Sequence, residues 1–247
     1  MRVIPVIDIL GGVVVHAKRG ERGRYEPIKS ILSTSTEPVD IAKTFYREFG
    51  FGELYVADLD AILGKGSATE HIMEIHRATP MTLMVDSGVS SLQDAKRLKE
   101  AGVSTIIVAT ETLDNLTALS HIIAKMGSKL IISSLDLREG KVVSKSPTMI
   151  MQKPVQAAEI LAGIGVSQLI VLELTKVGSE SGIDRSLAES IVKAVKIPVI
   201  TGGGIRDTTD LDELRRIGIG GALVATSLHT GSVTAEDLRL FHGSDRF

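Results

Sequence analysis

Short runs rich in Val, Ile and Leu recur along the chain, separated by longer segments with helical periodicity. Most runs are continuous rather than alternating, which is typical of parallel strands covered on both faces. They predict strands at Val3–Ile7, Leu54–Ala57, Thr82–Val85, Thr105–Ala109, Leu130–Leu135, Gln168–Leu172, Ile197–Thr201 and Gly221–Ala225. Helices are predicted between them, for example at Val39–Phe49, Leu92–Ala101 and Leu211–Ile217. This alternation indicates βαβ units and a parallel sheet.

The two halves of the chain repeat the same local patterns. Gly102–Thr110 resembles Gly218–Thr226, and Gly88-Val89 resembles Gly204-Ile205, each pair 116 residues apart (102 to 218, 88 to 204). Leu54–Leu59 similarly matches Leu169–Leu174 at an offset of 115 (54 to 169). Ordered matches at nearly one offset favour a duplicated half of four βα units, which closes into a (β/α)8 TIM barrel. A doubly wound open sheet is the alternative, but no Gly-x-Gly-x-x-Gly follows the first strand.

Length and composition agree with one soluble barrel domain over residues 1–247. The chain has 247 residues, of which 43% are hydrophobic and 23% charged, so a large core can form without disulfides or metal. Aromatic residues make up only 3% and Trp is absent, which leaves little to stack on a large cofactor or on nucleic-acid bases. The net charge of −2 and the lack of a basic run also argue against a polyanion partner. We therefore expect no cofactor and no nucleic acid.

The chain contains no Cys, which excludes a disulfide framework, thiolate metal sites and a Cys nucleophile. Met1–Ile7 does not have the pattern of a signal peptide, and no run reaches the roughly 18 apolar residues of a membrane span. His71 and His76 are five residues apart on a predicted helix and so do not share a face. These features predict a cytoplasmic protein with no membrane partner and no metal site.

The most informative segment is Thr201-Gly202-Gly203-Gly204-Ile205-Arg206, where a strand runs into three glycines before a helix. Without Cβ atoms the backbone can approach a phosphate closely, with its N–H groups directed at the oxygens. The next unit ends in Ala225-Thr226, and the loops after strands seven and eight of a barrel often hold phosphate. We expect phosphate binding by Gly202, Gly203, Gly204, Ala225 and Thr226. The alternative is a flexible turn followed by a helix cap.

Two acids stand at the ends of buried runs. Asp8 closes the predicted first strand and Asp136 the fifth, so a barrel places them on opposite sides of one mouth. Carboxylates in such poorly solvated positions can divide the work of general acid and general base. Either Asp could instead cap the loop that follows it.

Other polar positions are weaker candidates. Asp58 and Glu173 occupy equivalent places after strands two and six, where they could contact substrate or support loop structure. His16 stands in the first βα loop beside two cations and is a candidate substrate contact, although a solvated loop explains it equally well.

These residues resemble the HisA/HisF family of histidine-biosynthesis barrels over nearly the whole chain. The resemblance rests on Ile4–Ile9, Leu54–Leu59, Asp136 and Thr201–Arg206. It implies that Asp8 and Asp136 are the acid and base of an Amadori rearrangement, an aldose-to-ketose isomerisation of an aminosugar phosphate. It also implies a substrate with two phosphates, each held by a glycine loop of one half-barrel.

The chain departs from this family pattern in two places. Asp86 and Ser87 stand where the first glycine loop would be, and a carboxylate there repels phosphate in a poorly solvated site. In the sixth unit, Leu172 replaces a Thr, and the segment Val177-Gly178-Ser179 replaces the Asp-Gly-Thr turn, which leaves Gly178 and Ser179 as candidate substrate contacts. His16 stands where the cyclases of the family have an essential Lys, which argues against cyclase activity and against a glutaminase partner.

Three functions remain open at this point. The first is a HisA-like isomerase of a phosphorylated aminoimidazole ribotide or similar sugar phosphate. The second is a divergent member that acts on a singly phosphorylated small molecule in a lyase or condensation step. The third is a non-catalytic binder of a phosphorylated ligand, because a fold does not fix a function.

Overall fold

The computed structural model describes residues 1–243. The strands are β1 (Arg2–Leu10), β2 (Val13–His16), β3 (Glu26–Pro27), β4 (Glu53–Asp58), β5 (Thr82–Asp86), β6 (Thr105–Ala109), β7 (Ile131–Arg138), β8 (Lys141–Val142), β9 (Leu169–Glu173), β10 (Val199–Gly202) and β11 (Gly221–Val224). The α-helices are α1 (Pro38–Phe49), α2 (Leu59–Ile62), α3 (Thr69–Ala78), α4 (Leu92–Glu100), α5 (Leu116–Met126), α6 (Pro147–Ile150), α7 (Pro154–Ile164), α8 (Arg185–Ala194), α9 (Thr208–Arg216), α10 (Thr226–Thr230) and α11 (Ala235–Gly243).

Eight of these strands form a closed parallel barrel. Their order is β1, β4, β5, β6, β7, β9, β10 and β11, and β11 pairs back with β1 through Arg2 opposite Gly221. Each barrel strand contains most of one predicted run, so the (β/α)8 TIM barrel is confirmed. The strand bounds differ from the predicted ones by at most three residues. Leu130 lies in a short 3-10 helix and Ala225 lies beyond β11.

The sequence suggested that the first and fifth barrel strands end at Asp8 and Asp136. In the structure, both strands continue past these acids. β1 runs on to Leu10 and turns back into β2, while β7 runs on to Arg138 and turns back into β8. Each turn has two residues with positive φ, Gly11-Gly12 and Glu139-Gly140. That is the backbone of a tight two-residue hairpin. Both acids therefore lie inside a continuing strand, and the hairpins rise above the barrel mouth.

One side chain from each barrel strand fills the barrel interior. These are Ile4, Tyr55, Met84, Ile107, Ile132, Ile170, Ile200 and Leu223, which belong to one buried cluster. A second, larger cluster lies between the strands and the surrounding helices and includes Phe45, Ile72 and Leu211. Because side chains alternate along a strand, the inner cluster fixes which later residues of each strand also point inward.

Candidate active site

The carboxyl ends of the barrel strands surround a cavity that contains three aspartates. Asp8 and Asp136 each lie four residues beyond an interior side chain, Ile4 and Ile132, and Asp86 lies two residues beyond Met84. Even spacing keeps all three on the inner face of the barrel. All three line the cavity, so the predicted pair Asp8 and Asp136 is brought together in one site.

Asp136 is the most deeply buried of the three, with 3% of its surface exposed. Its carboxylate accepts hydrogen bonds from the Ser134 hydroxyl at 2.7 Å and from the Glu111 backbone N–H at 3.2 Å. Ser134 lies two residues before it and so shares the inner face of β7. Burial raises the pKa of Asp136 to about 8, the charge of Asp86 adds to the rise, and the two hydrogen bonds oppose it. At neutral pH this carboxyl is therefore largely protonated.

Asp8 lies across the cavity from Asp136 and is partly exposed to it. Burial raises its pKa to about 7, the Arg22 guanidinium opposes this, and the charge of Asp86 adds to it. The ionised and protonated forms of Asp8 are therefore about equally populated at neutral pH. The pKa of Asp136 is thus higher than that of Asp8, which is the order required if Asp136 acts as the acid and Asp8 as the base.

Asp86 completes the set and is 8% exposed. One carboxylate oxygen accepts the Gly88 backbone N–H at 3.0 Å, and the other faces the Tyr55 hydroxyl at 3.4 Å. Burial raises the pKa of Asp86 to about 6, while the hydrogen bond from the Gly88 N–H lowers it. Asp86 is the last residue of β5, and its carboxylate bonds to the first-half loop that follows the strand.

An ion pair that the sequence could not reveal crosses the same end of the cavity. Arg22 donates to Glu111 at 2.5 Å, and both side chains are about three-quarters buried. The two residues are 89 positions apart, so no local motif links them. Arg22 is the cation nearest to Asp8 and Asp86, and its charge lowers the pKa of both.

The glycine loop forms the opposite end of the cavity. Gly203 and Gly204 have φ values of +97° and +86°, which side-chain-bearing residues rarely adopt. A Cβ atom on Gly203 would approach the Glu173 carbonyl oxygen to 2.8 Å, and one on Gly204 the Gly182 carbonyl oxygen to 2.9 Å. Across the described chain, neither Gly203 nor Gly204 has a backbone acceptor for its N–H group. Both glycines line the cavity beside Ala225 and Thr226.

Two histidines border this glycine-loop end. The Nε2 atom of His16 lies 3.1 Å from the Thr226 hydroxyl, which supports His16 as a candidate substrate contact. Burial lowers the pKa of His16, and Lys18 lowers it further. His229, which the sequence analysis did not single out, is buried on α10 with Nδ1 2.9 Å from the Ser30 hydroxyl. Its pKa is lowered to about 4 by burial, so its ring is neutral at physiological pH.

Asp58 and Glu173 do not face the cavity, although the sequence analysis offered both as candidate substrate contacts. Each follows an inward residue by one position, so each points out of the barrel. Asp58 is fully buried and accepts the N–H groups of Ala61 and Ala68. Glu173 accepts the N–H groups of the Glu139-Gly140 turn. Both carboxylates support loops, which is the other role the sequence allowed.

Of the remaining predicted positions, some line the cavity and others support the structure around it. Gly178 lines the cavity and touches the first loop so closely that a Cβ atom would lie 1.7 Å from the Ala17 carbonyl oxygen. Leu172 and Val177 also line it and make its wall apolar. Ser179 instead donates to the Lys176 carbonyl at 2.7 Å, outside the described lining. Gly202 lies within β10, where a Cβ atom would strike Leu223, so it permits close packing behind the loop.

The fold and this site define a class: a (β/α)8 barrel with buried carboxylic acids and an open glycine loop at the carboxyl ends of its strands. The family model described as "Histidine biosynthesis protein" matches residues 2–234. The chain therefore belongs to the histidine biosynthesis protein family, as the sequence resemblance indicated.

Individual relatives align over almost their whole length. An uncharacterized protein of Methanocaldococcus jannaschii is 32% identical over 96% of this chain and 97% of its own. A protein of Methanosphaera stadtmanae is 29% identical over 96% of this chain and 98% of its own. A protein of Halothermothrix orenii is 30% identical over 98% of this chain and 100% of its own. The last two are named 1-(5-phosphoribosyl)-5-((5-phosphoribosylamino)methylideneamino) imidazole-4-carboxamide isomerases.

Proposed function

We propose that the protein is an intramolecular aldose–ketose isomerase that carries out an Amadori rearrangement on a phosphorylated aminosugar. The observation that carries the proposal is the pair of buried acids, Asp8 and Asp136, in a cavity whose other end is the open Gly203–Gly204 loop. The names of the isomerases among its relatives support the reaction class. A phosphate on the glycine loop would hold the sugar with its reactive carbons between the acids.

The pKa order favours Asp136 as the acid and Asp8 as the base. Asp136 donates its proton to the ring oxygen of the sugar, and the C1–O bond breaks to leave a protonated imine at C1. Asp8 removes the proton from C2, and the electron pair forms a C1=C2 double bond while the nitrogen becomes neutral. Asp8 then returns its proton to C1 as Asp136 accepts the proton of the C2 hydroxyl. The product is an aminoketose, and both carboxyls end as they began.

The number of phosphates on the substrate is a separate question. The compound in the relatives' names carries two phosphoribosyl groups, yet in this chain the Asp86 carboxylate at the end of β5 bonds to the first-half loop. A phosphate there would face a buried carboxylate and find the Gly88 N–H already bonded. This observation favours a substrate with a single phosphate over the compound in the relatives' names. The lyase or condensation alternative has no comparable support from the arrangement of the side chains.

The test is turnover by the purified protein of two substrates, the bisphosphate named for the relatives and a phosphoribosyl arylamine with a single phosphate, followed by absorbance. We expect turnover of the second, reduced about 10²-fold or more in Asp8→Asn and in Asp136→Asn, because each removes one proton-transfer group. Asp114→Asn is the matched control, since Asp114 is an exposed acid outside the cavity lining.

The outcomes separate the candidate functions. Activity that survives in both cavity variants would remove the proposed roles of the acids. Binding of the phosphate ligands without turnover in the parent protein, unchanged in Asp8→Asn and Asp136→Asn, would favour the non-catalytic binder. Equal turnover of the two substrates would show that Asp86 tolerates a second phosphate.

A further inference from the structure

The two half-barrels place opposite chemistry at equivalent positions. Asp86, Ser87 and Gly88 precede Gly202, Gly203 and Gly204 by 116 residues (86 to 202). Gly88 keeps the left-handed backbone of its counterpart, with φ of +69° against +86° for Gly204. The middle residues differ, because Gly203 has a φ of +97° whereas Ser87 is not among the residues with positive φ. The two turns therefore differ in the conformation of the middle residue as well as in what the N–H group of the third residue meets.

In the first half, two N–H groups at this end of the cavity are already occupied by carboxyl groups of the protein. The Gly88 N–H donates to Asp86 at 3.0 Å, and the Glu111 N–H donates to Asp136 at 3.2 Å. In the second half, the Gly203 and Gly204 N–H groups have no backbone acceptor in the described chain. One end of the cavity thus offers N–H donors to an anion, and the other presents carboxyl groups.

The charge at the Asp86 end is not balanced by the protein. Asp8, Asp86, Asp136 and Glu111 line it, whereas Arg22, His16 and His229 are the basic side chains among the described lining residues. The His229 ring borders the glycine-loop end and is neutral at physiological pH. Arg22 is engaged by Glu111, and His16 lies at the glycine-loop end beside Thr226. Buried carboxylates without a counter-charge ionise poorly, and a cationic ligand would relieve that cost.

The walls between the two ends are apolar. Val15, Leu59, Ile62, Leu172 and Val177 line the cavity along its length. Such walls exclude water and strengthen the attraction between a bound cation and Asp86.

We infer that Asp86 is a specificity-determining residue that binds a positively charged amino group at the far end of a substrate whose single phosphate lies on the Gly203–Gly204 loop. This rests on the proposed function in taking the glycine loop as the phosphate site. The ligand class is an amino-substituted monophosphate. A bisphosphate would place its second anion against Asp86, and a neutral far end would leave the carboxylates without a counter-charge.

The experiment is isothermal titration of the full chain with four probes that share one alkyl spacer: pentyl phosphate, 5-hydroxypentyl phosphate, 5-aminopentyl phosphate and pentane-1,5-diyl bisphosphate. We expect the amino probe to bind about tenfold more tightly than the pentyl probe, with the hydroxyl probe between them and the bisphosphate weakest. In Asp86→Asn the amino preference should disappear while pentyl phosphate binding is unchanged or improved. Asp114→Asn, which removes an exposed acid outside the cavity lining, should keep the preference.

The probes distinguish failure of this inference from failure of the phosphate site. Binding of pentyl phosphate with no gain from the amino group, or with equal gain in Asp86→Asn, overturns the role of Asp86 and leaves the phosphate site standing. Binding of the amino probe alone supports Asp86 and opposes the phosphate site. Absence of binding by all four overturns both.

Discussion

The three cavity aspartates make the folded protein less stable as pH rises. Their pKa values increase from an ordinary 3.8 to about 7, 6 and 8 for Asp8, Asp86 and Asp136, so the folded state binds more protons than the unfolded chain between about pH 4 and pH 8. The contribution of these three groups to the free energy of unfolding therefore falls across that window. On the proposed mechanism, this loss of stability accompanies acids whose pKa values suit proton transfer near neutral pH.

Asp86→Asn should raise stability at high pH. The Asn carboxamide oxygen can still accept the Gly88 N–H, while the buried charge is lost. We expect a gain in unfolding free energy of about 1–3 kcal/mol at pH 8 and almost none at pH 4, measured by denaturant titration. Asp114→Asn should show no such pH dependence. A gain at pH 4 equal to that at pH 8 would contradict the assigned pKa shift.

The rate should depend on pH in a narrow bell. On the proposed mechanism, turnover needs Asp8 ionised and Asp136 protonated, so we expect kcat/KM to rise as pH passes about 7 and to fall as it passes about 8. The two limbs belong to the coupled pair rather than to either residue alone. Removing the Asp86 charge in Asp86→Asn should move both limbs to lower pH, since that charge raises both pKa values. A profile flat from pH 5 to 9 would exclude this division of roles.

At the scale of single residues, the sequence indicated part of the candidate site. Asp8 and Asp136 could be predicted as candidates because each follows a buried run, and the structure places both in the cavity lining. The alternation of side chains along a strand, applied to Asp58 and Glu173, would have directed them outward, but the continuous hydrophobic runs hid which face was which. The Arg22–Glu111 pair could not be found, because two distant loops bring it together.

The glycine loop makes a prediction at the scale of the element. Gly204→Ala would place a Cβ atom 2.9 Å from the Gly182 carbonyl at a φ of +86°. We expect pentyl phosphate affinity to fall about tenfold or more, because the loop must move away from the bound anion. Gly127→Ala is the matched control, because Gly127 has a similar φ of +87° and a Cβ atom there would have no other atom within 4 Å.

Both alanine variants should lose about 1–2 kcal/mol of stability from the left-handed backbone. Only Gly204→Ala should lose phosphate affinity, as titration of the two variants side by side would show. An equal loss in both would mean that the effect comes from general destabilisation rather than from the loop.

The hairpins were the elements that the sequence analysis missed. Their turns are only two residues long, and Glu139 adopts a positive φ that a residue other than glycine rarely takes. Glu173, from the neighbouring strand, holds that turn through two N–H groups. Such long-range support has no local signal, so the predicted strands ended at Ile7 and Leu135, three residues before the observed strands end.

The internal repeat makes a prediction for the whole molecule. The double substitution Asp86→Gly, Ser87→Gly would give the first half the glycines of the second. We expect pentane-1,5-diyl bisphosphate to bind about tenfold more tightly than to the parent protein, since one buried carboxylate is removed and one N–H group is freed. Asp114→Asn serves again as the charge control. Unchanged bisphosphate affinity would mean that the Glu111 N–H, still held by Asp136, is the group that matters.

At the same scale, the barrel could be predicted nearly in full. The strand runs, their helical spacers and the repeat offset point to one architecture, and the consistency of these signals is what specifies a fold. No helix in the described part of the chain has the length and apolarity needed to span a bilayer. The choice of ligand depends on a few side chains at the mouth of the barrel. The internal repeat shows where these side chains lie but does not show which ligand they bind.

Closure of the barrel has a consequence for aggregation. Pairing of β11 with β1 leaves the barrel itself without a free strand edge onto which another chain could add. The open edges that remain belong to the two hairpins, and each is only two residues long. Glu26–Pro27 combines a charge with a proline that has no N–H group to donate, and Lys141–Val142 carries a lysine. The rim that frames the site is thereby protected against edge-to-edge assembly, even at high protein concentration.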